Sequence, residues 1–403
     1  MSSAGHPVRG PAELPPLWLM ALSLVAVSAN LRTAIASVPP LARTIATDLD
    51  LSSAWIGAVT TLPVLCMGLL APAAQRLGQR FGAVASVQIA IIAVFAGMLL
   101  RLWGDHLWAL YAGTFFAGFG IAVAGTLLPR LVKAAFPPER TGAITGLYML
   151  AMMGGAAASS ALSVPLAARL GSWQGSLASW SILAAVGALA WAPVTVGISR
   201  YKVANPVVDT THGLPWRHPT AWLIAAYLAV QSWEFYTSLA WIAPSYAARG
   251  WSPTTAGYLL SAFGGAQLVS GLLGPVLTDK IHDHRALLMP AAILGLAGML
   301  ALLLAPDAAA WVWVIVLGLG QGAAFSLALV LLVDYAETPA GSGRLTAMVF
   351  FVSYTIASFG PTATGAMRDL TGDFHVIWLL MALLMLVQIA LILQIRPDLR
   401  KVP

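Results

Sequence analysis

Apolar stretches long enough to cross a bilayer recur from Leu17 to Ile395 with little chain between them. In hydrocarbon every backbone N–H and C=O must be satisfied within the protein, so only helices and closed barrels can span it. Barrel strands alternate polar and apolar residues over roughly ten positions, and that alternation is absent. The runs predict twelve helices, over residues 17–45, 54–75, 83–102, 107–133, 141–168, 173–197, 219–247, 253–277, 286–305, 310–335, 343–367 and 375–395. Only 9% of the residues are charged, against about 25% in a soluble domain. A water-facing globule of 403 residues could not be covered with so little polar surface.

One connection is longer than the rest. Residues 198–218 carry Arg200, Lys202, Asp209, His212, Arg217 and His218 and divide the chain near its midpoint. The reading is an N-terminal tail (1–16), a six-helix bundle (17–197), a cytoplasmic linker (198–218), a second six-helix bundle (219–395) and a short tail (396–403). Two such halves joined by a polar linker are the layout of a duplicated transporter.

Excluding Arg32, basic residues divide roughly fifteen to five between the two sides if the N-terminus is inside. The bias predicts both termini in the cytoplasm. The net charge of +6 is scattered singly through short loops, so it does not indicate a nucleic-acid partner. The lone Cys66 excludes an internal disulfide and a CxxC metal site. Met1 to Pro16 lacks a basic n-region and a small-residue cleavage site, so the first span is expected to remain as an anchor. Trp18, Trp55, Trp108, Trp173, Trp216, Trp222, Trp251, Trp311 and Trp313 fall near span ends and are read as an aromatic belt.

Two formal charges are predicted at the midplane: Arg32 in the first span and Glu234 in the seventh. A charge there costs from a few to ~10 kcal/mol, so it is kept where it lines a polar cavity or finds a partner. Arg32 offers a fixed fork of donors suited to a carboxylate or small linear anion. Asn30 lies two positions away, about 200° round a helix, and Pro39-Pro40 is expected to bend the outer half. In the seventh span Gln231, Glu234, Ser238 and Trp241 fall on one face, expected to meet a central cavity. The first and seventh spans are symmetry mates in a duplicated transporter, so Arg32 and Glu234 are expected to approach one another. A bound anion engaging Arg32 would then free Glu234 to take a proton. Gln321 and Tyr354 are mid-span hydrogen-bonding groups, with Tyr148, Gln267, Tyr236 and Trp233 as weaker candidates.

The loop after the second span, Ala71-Pro72-Ala73-Ala74-Gln75-Arg76-Leu77-Gly78-Gln79-Arg80, resembles the cytoplasmic signature G-x-L-x-D-R-x-G-R-R of the major facilitator superfamily. Arg76, Gly78 and Arg80 match, while Ala71 replaces the first Gly and Gln75 the Asp. The second half carries a looser echo in Asp279-Lys280 with His282, Asp283, His284 and Arg285. Arg76, Arg80 and Asp279 are expected to latch the halves in one state. Proton-coupled members of the superfamily often carry an Arg where Thr114 stands here. Further segments are Asn30-Leu31-Arg32, Leu128-Pro129-Arg130, Gln231-Ser232-Trp233-Glu234-Phe235-Tyr236, Gly318-Leu319-Gly320-Gln321-Gly322 and Tyr354 with Gly360-Pro361 and Asp369. Together they resemble the cyanate-permease and nitroimidazole-transporter family within that superfamily. The resemblance implies secondary transport of small, often anionic, molecules across the bacterial inner membrane.

The expectation is an all-α polytopic protein with two pseudo-symmetric bundles around a cavity, acting as a monomer in the lipid bilayer. It would transport a small anionic solute, cyanate-like or a small carboxylate, by alternating access with protons. Arg32, Asn30, Gln231, Tyr236, Trp241, Gln321, Tyr354 and Tyr148 are the candidate substrate contacts and Glu234 the proton carrier. No cofactor, metal or catalytic residue is expected: the chain has no Gly-rich phosphate loop with a Lys and no H-E-x-x-H. The alternatives are efflux of an aromatic or heteroaromatic drug-like compound, favoured by Trp233, Tyr236 and Trp241, and a non-transporting membrane sensor or enzyme.

Overall fold

A computed structural model describes residues 16–198, 213–278, 281 and 283–403. Most of the linker, the N-terminal tail before Pro16, and Asp279, Lys280 and His282 lie outside the described residues. The regular structure of the described residues is helical, with a single isolated bridge between Ala336 and Val402.

Ten described spans are long and apolar enough to cross a membrane: Leu17–Asp48, Ala83–Trp103, Leu107–Ala135, Glu139–Leu170, Trp173–Val196, Pro253–Leu273, Arg285–Leu304, Ala310–Asp334, Ala340–Thr371 and His375–Gln394. Ser53–Leu69 with Ala71–Phe81, bent by 57°, is the eleventh. The twelfth is Pro219–Ala248, the seventh in chain order; its 30 residues suffice in length, but Gln231, Glu234 and their polar neighbours dilute its hydropathy. Two expected boundaries move. The first span breaks at Ser37-Val38 into a tight turn Pro39–Leu41 and a last helix Ala42–Asp48, because two consecutive prolines supply no backbone N–H to the ladder. The second stops at Leu69 rather than near residue 75: Pro72 starts a separate amphipathic helix, on which Arg76 and Arg80 are exposed.

Helix neighbours repeat between the halves. In the first, the third span packs on the fourth and sixth, the second on the fourth, and the first on the fifth and sixth. Adding six to each number gives the neighbours of the second half: the ninth on the tenth and twelfth, the eighth on the tenth, and the seventh on the eleventh and twelfth. The halves meet through two equivalent seams, second against eleventh and fifth against eighth.

Both seams depend on close backbone approach, the usual way helices associate in a solvent with no hydrophobic drive. A Cβ on Gly57 would strike the Pro361 carbonyl, and one on Gly257 would come within 2.6 Å of the Ser160 carbonyl oxygen. Thr61 and Thr362 share a hydroxyl hydrogen bond of 2.7 Å across the first seam. At its end Asp369 accepts the backbone N–H groups of Ser53 and Ala54, both at 2.8 Å. Arg368 Nη1 donates to Ser53 Oγ at 3.2 Å. The halves are therefore joined at the end bearing Ser53 and Asp369.

Trp18, Trp55, Trp108, Trp216, Trp222 and Trp311 are exposed, as a lipid-facing belt requires. Trp173 is not among them: it is buried and donates to Asp48 Oδ2 at 2.7 Å. Arg101, at the end of the third span, is also fully buried; its Nη1 donates to the Ala34 carbonyl (3.0 Å) and its Nη2 to Thr114 Oγ1 (3.2 Å). A guanidinium from the third span thus reaches Thr114 on the fourth.

Candidate functional site

A cavity of about 700 Å³, counted to its open mouth, lies between the halves. Met149, Leu272 and Leu329 line it on the side away from the Ser53–Asp369 seam end. A smaller chamber of about 340 Å³ adjoins it toward Ser160 and Leu260. Arg32, Met153, Phe235 and Gln267 border both spaces.

Arg32 is 8% exposed. Its guanidinium lies over the Phe235 ring, 4.8 Å from the centroid, and 5.6 Å from that of Tyr236. A desolvated cation–π contact of this kind is worth up to ~2 kcal/mol. Its Nη1 is buried without a hydrogen-bond partner. Among the described residues no carboxylate forms an ion pair with it. The seventh span places the two rings: Ser232, Phe235, Tyr236 and Leu239 form the stripe that meets the two chambers, spaced i, i+3, i+4, i+7.

This corrects the expected face of the seventh span. Of Gln231, Glu234, Ser238 and Trp241, only Gln231 borders the cavity. Glu234 and Ser238 are fully buried. Trp241 Nε1 donates to Thr364 Oγ1 at 2.9 Å and to the Pro361 carbonyl at 3.2 Å, tying the seventh span to the eleventh. The polar stripe joins helices, because in a dry interior a polar side chain seeks a neighbouring helix as readily as water. The expected approach of Arg32 to Glu234 is corrected too: Glu234 Oε2 accepts from Gln321 Nε2 at 3.1 Å, and Oε1 has no partner.

Glu234 instead ends a chain of side-chain hydrogen bonds. Ser232 Oγ donates to Gln231 Oε1 (3.4 Å), Gln231 Nε2 to Gln321 Oε1 (3.1 Å), and Gln321 Nε2 to Glu234. Ser232, Gln231 and Gln321 line the cavity. The carboxyl is thus one amide removed from the cavity wall.

Tyr236 and Tyr354 border the cavity with ring centroids 6.4 Å apart, and the Tyr236 hydroxyl donates to Met67 Sδ at 3.7 Å. Asn30 does not reach it: Nδ2 donates to the carbonyls of Ala26 (2.8 Å) and Leu183 (3.2 Å), joining the first span to the sixth. Tyr148 is buried in the apolar core, and the neighbours Met149, Met152 and Met153 take the cavity wall. Those methionines, together with Phe235, escaped the sequence reading; their i, i+3, i+4 spacing on one helix is the signal that marks them. Gln267, a weaker candidate, lines both chambers with Nε2 buried and unpartnered.

Of the expected latch residues, Asp279 lies outside the described residues, and Arg76 and Arg80 form no ion pair among them. Arg80 lies 5.3 Å from its neighbour Phe81. Nearby in the second half, Arg285 clasps Asp283 at 2.8–3.1 Å, which holds that carboxyl below its usual range, and His284 Nε2 pairs with Asp334 at 3.0 Å. These contacts stay within one half.

The Major Facilitator Superfamily profile matches residues 20–336 and 224–403. The transporter YycB of Bacillus subtilis is 33% identical over 363 residues, 89% of this chain and 88% of its own. The 2-nitroimidazole transporter of Escherichia coli is 30% identical over 88% of this chain and 89% of its own. The cyanate transport protein CynX of Escherichia coli is 30% identical over 90% and 94%. Two solved folds superpose closely: an inward-facing bacterial homologue of the human lysosomal transporter Spinster (TM-score 0.75, 14% identity, 94% of this chain and 96% of that one) and the partially occluded, inward-open xylose transporter XylE of Escherichia coli (0.73, 14%, 94% and 99%).

Proposed function

The chain belongs to the Major Facilitator Superfamily, and from that premise we propose that it moves a small anionic solute across the membrane by alternating access, in company with protons. It is a multi-pass membrane transporter and not an enzyme. The observation that carries the anionic reading is Arg32: buried between the halves on the cavity wall, lying over the Phe235 ring, unpaired by any described carboxylate, and with its Nη1 donor unused. An arginine so desolvated gains most from a ligand that brings the missing negative charge. The name of the relative CynX, for cyanate, supports the same class.

Glu234 is the proton carrier in this reading. It is the acid group buried beside the cavity, and the amides of Gln231 and Gln321 link its carboxyl to the wall. In this reading anion at Arg32 and proton at Glu234 are coupled across the cavity wall, which the amide chain from Glu234 reaches, rather than by direct exchange of partners. The Lys/Arg bias puts both termini in the cytoplasm. The end sealed by Asp369 is then the outer one, and the cavity opens inward. Efflux of a heteroaromatic compound is the second reading, supported by the rings of Phe235, Tyr236 and Tyr354 around the same space.

Proteoliposomes loaded with radiolabelled benzoate or cyanate test the proposal. Arg32→Ala is expected to abolish binding and exchange. Glu234→Gln is expected to retain exchange and lose accumulation driven by a pH gradient. Normal concentrative uptake by both variants refutes it.

A further inference from the structure

Most polar groups on the cavity wall are already spent on one another. The Gln231 amide N–H donates to Gln321, that of Gln321 to Glu234, the Ser232 hydroxyl to Gln231 and the Ser326 hydroxyl to the Ala323 carbonyl. Two buried donors are left without a partner: Arg32 Nη1 and Gln267 Nε2, on side chains 8% and 7% exposed. Both border the cavity and the smaller chamber, so they sit where the two spaces meet. They come from opposite halves, Arg32 from the first span and Gln267 from the eighth. An unsatisfied buried donor costs ~1–3 kcal/mol, and an acceptor from the cargo removes that cost at both sites.

The rest of the wall is of a different kind. Met149, Met152 and Met153 project from one helix, with Leu272, Phe325 and Leu329 on other elements. Thioethers are polarizable and adapt to apolar and aromatic partners. A triatomic anion exposes charge all round and needs donors all round to replace its water; here the two buried unpartnered donors lie where the two spaces meet.

We propose that the cargo is an amphiphilic organic monoanion, with one carboxylate-like head taken jointly by Arg32 and Gln267 and an apolar or aromatic body laid against the methionine wall. This rests on the anionic reading above and narrows it: Gln267 becomes the second head-group contact, and the methionines set specificity. A head held by one donor from each half also ties cargo binding to the approach of the halves.

Isothermal titration calorimetry of the full-length protein in nanodiscs, with benzoate, cyclohexanecarboxylate, acetate, cyanate and benzyl alcohol as probes, tests it. The two bulky carboxylates are expected to bind at least tenfold more tightly than acetate or cyanate. Benzyl alcohol, the same body without charge, is expected not to bind. Gln267→Leu is expected to weaken benzoate tenfold or more, because a charge-assisted hydrogen bond is lost. The probe ranking in the unmodified protein stands by itself if that variant fails to fold. Cyanate or acetate binding as tightly as benzoate overturns the amphiphilic class and leaves the anionic reading intact. Benzoate affinity unchanged in a folded Gln267→Leu overturns the role of Gln267. Failure of all four anions to bind, or benzoate binding indifferent to Arg32→Gln, overturns this inference and the anionic reading together.

Discussion

Removing the Asp369 carboxylate should loosen the sealed end of the transporter by a calculable amount. Its two oxygens accept the N–H groups of Ser53 and Ala54 at 2.8 Å each. These groups open the second-span helix, where the first N–H donors have no partner within the helix. A side-chain cap at such a position is worth ~0.5–2 kcal/mol, and a negative charge at a helix N-terminus ~0.3–1 kcal/mol more. The side chain is 26% exposed, so water screens part of the charge contribution, and ~1–2 kcal/mol is a fair net figure. Asp369 belongs to the eleventh span and the capped helix to the second, so the contact exists only while the halves touch at this end. Its loss in Asp369→Ala therefore acts on the conformational equilibrium, shifting the closed-to-open ratio about 5- to 30-fold.

Spin labels at His106 and Ala308 would read this shift as an inter-half distance. Both positions are exposed, in the equivalent loops after the third and ninth spans. The native Cys66 is buried and would not compete for label. Conditions should be chosen in which the parent protein populates both distances. Asp369→Asn, which keeps one acceptor oxygen, should fall between parent and Asp369→Ala. Identical distance distributions in all three proteins would refute the argument that this cap holds the seam.

Gly57→Val should produce the same opening more severely, because its side chain would run into the Pro361 carbonyl across the seam; transport rate and the same spin-label distance check it. Trp241→Phe removes the N–H bonds to Thr364 and Pro361 and should destabilise by ~1–2 kcal/mol. It should lower the melting temperature in detergent and leave benzoate affinity unchanged, separating a helix tie from a ligand contact. Arg32→Lys keeps the charge but loses the planar fork of donors that lies over Phe235 and near Tyr236; benzoate binding should weaken about tenfold.

Hydropathy alone determined that the chain crosses a membrane repeatedly. A helix in lipid must be apolar for about twenty residues whatever its neighbours are, and this local requirement is written into each run. The seventh span shows its limit, since the polar residues that matter most also dilute the signal. Arg32 was legible for a related reason: a lone charge deep in the first span had to have a use. Partnership was not legible. Asn30 and Trp241 carry the same hydrogen-bonding groups as a ligand contact would, and helical periodicity says which face they share but not what covers it. Packing turned Ser232, Phe235 and Tyr236 to the cavity and gave Glu234 to Gln321. It also left Gln267, from the other half of the chain, with an unused donor at the same chambers as Arg32. These outcomes depend on the rotation of each helix against its neighbours, which is settled by the packing of the whole bundle and by no single segment.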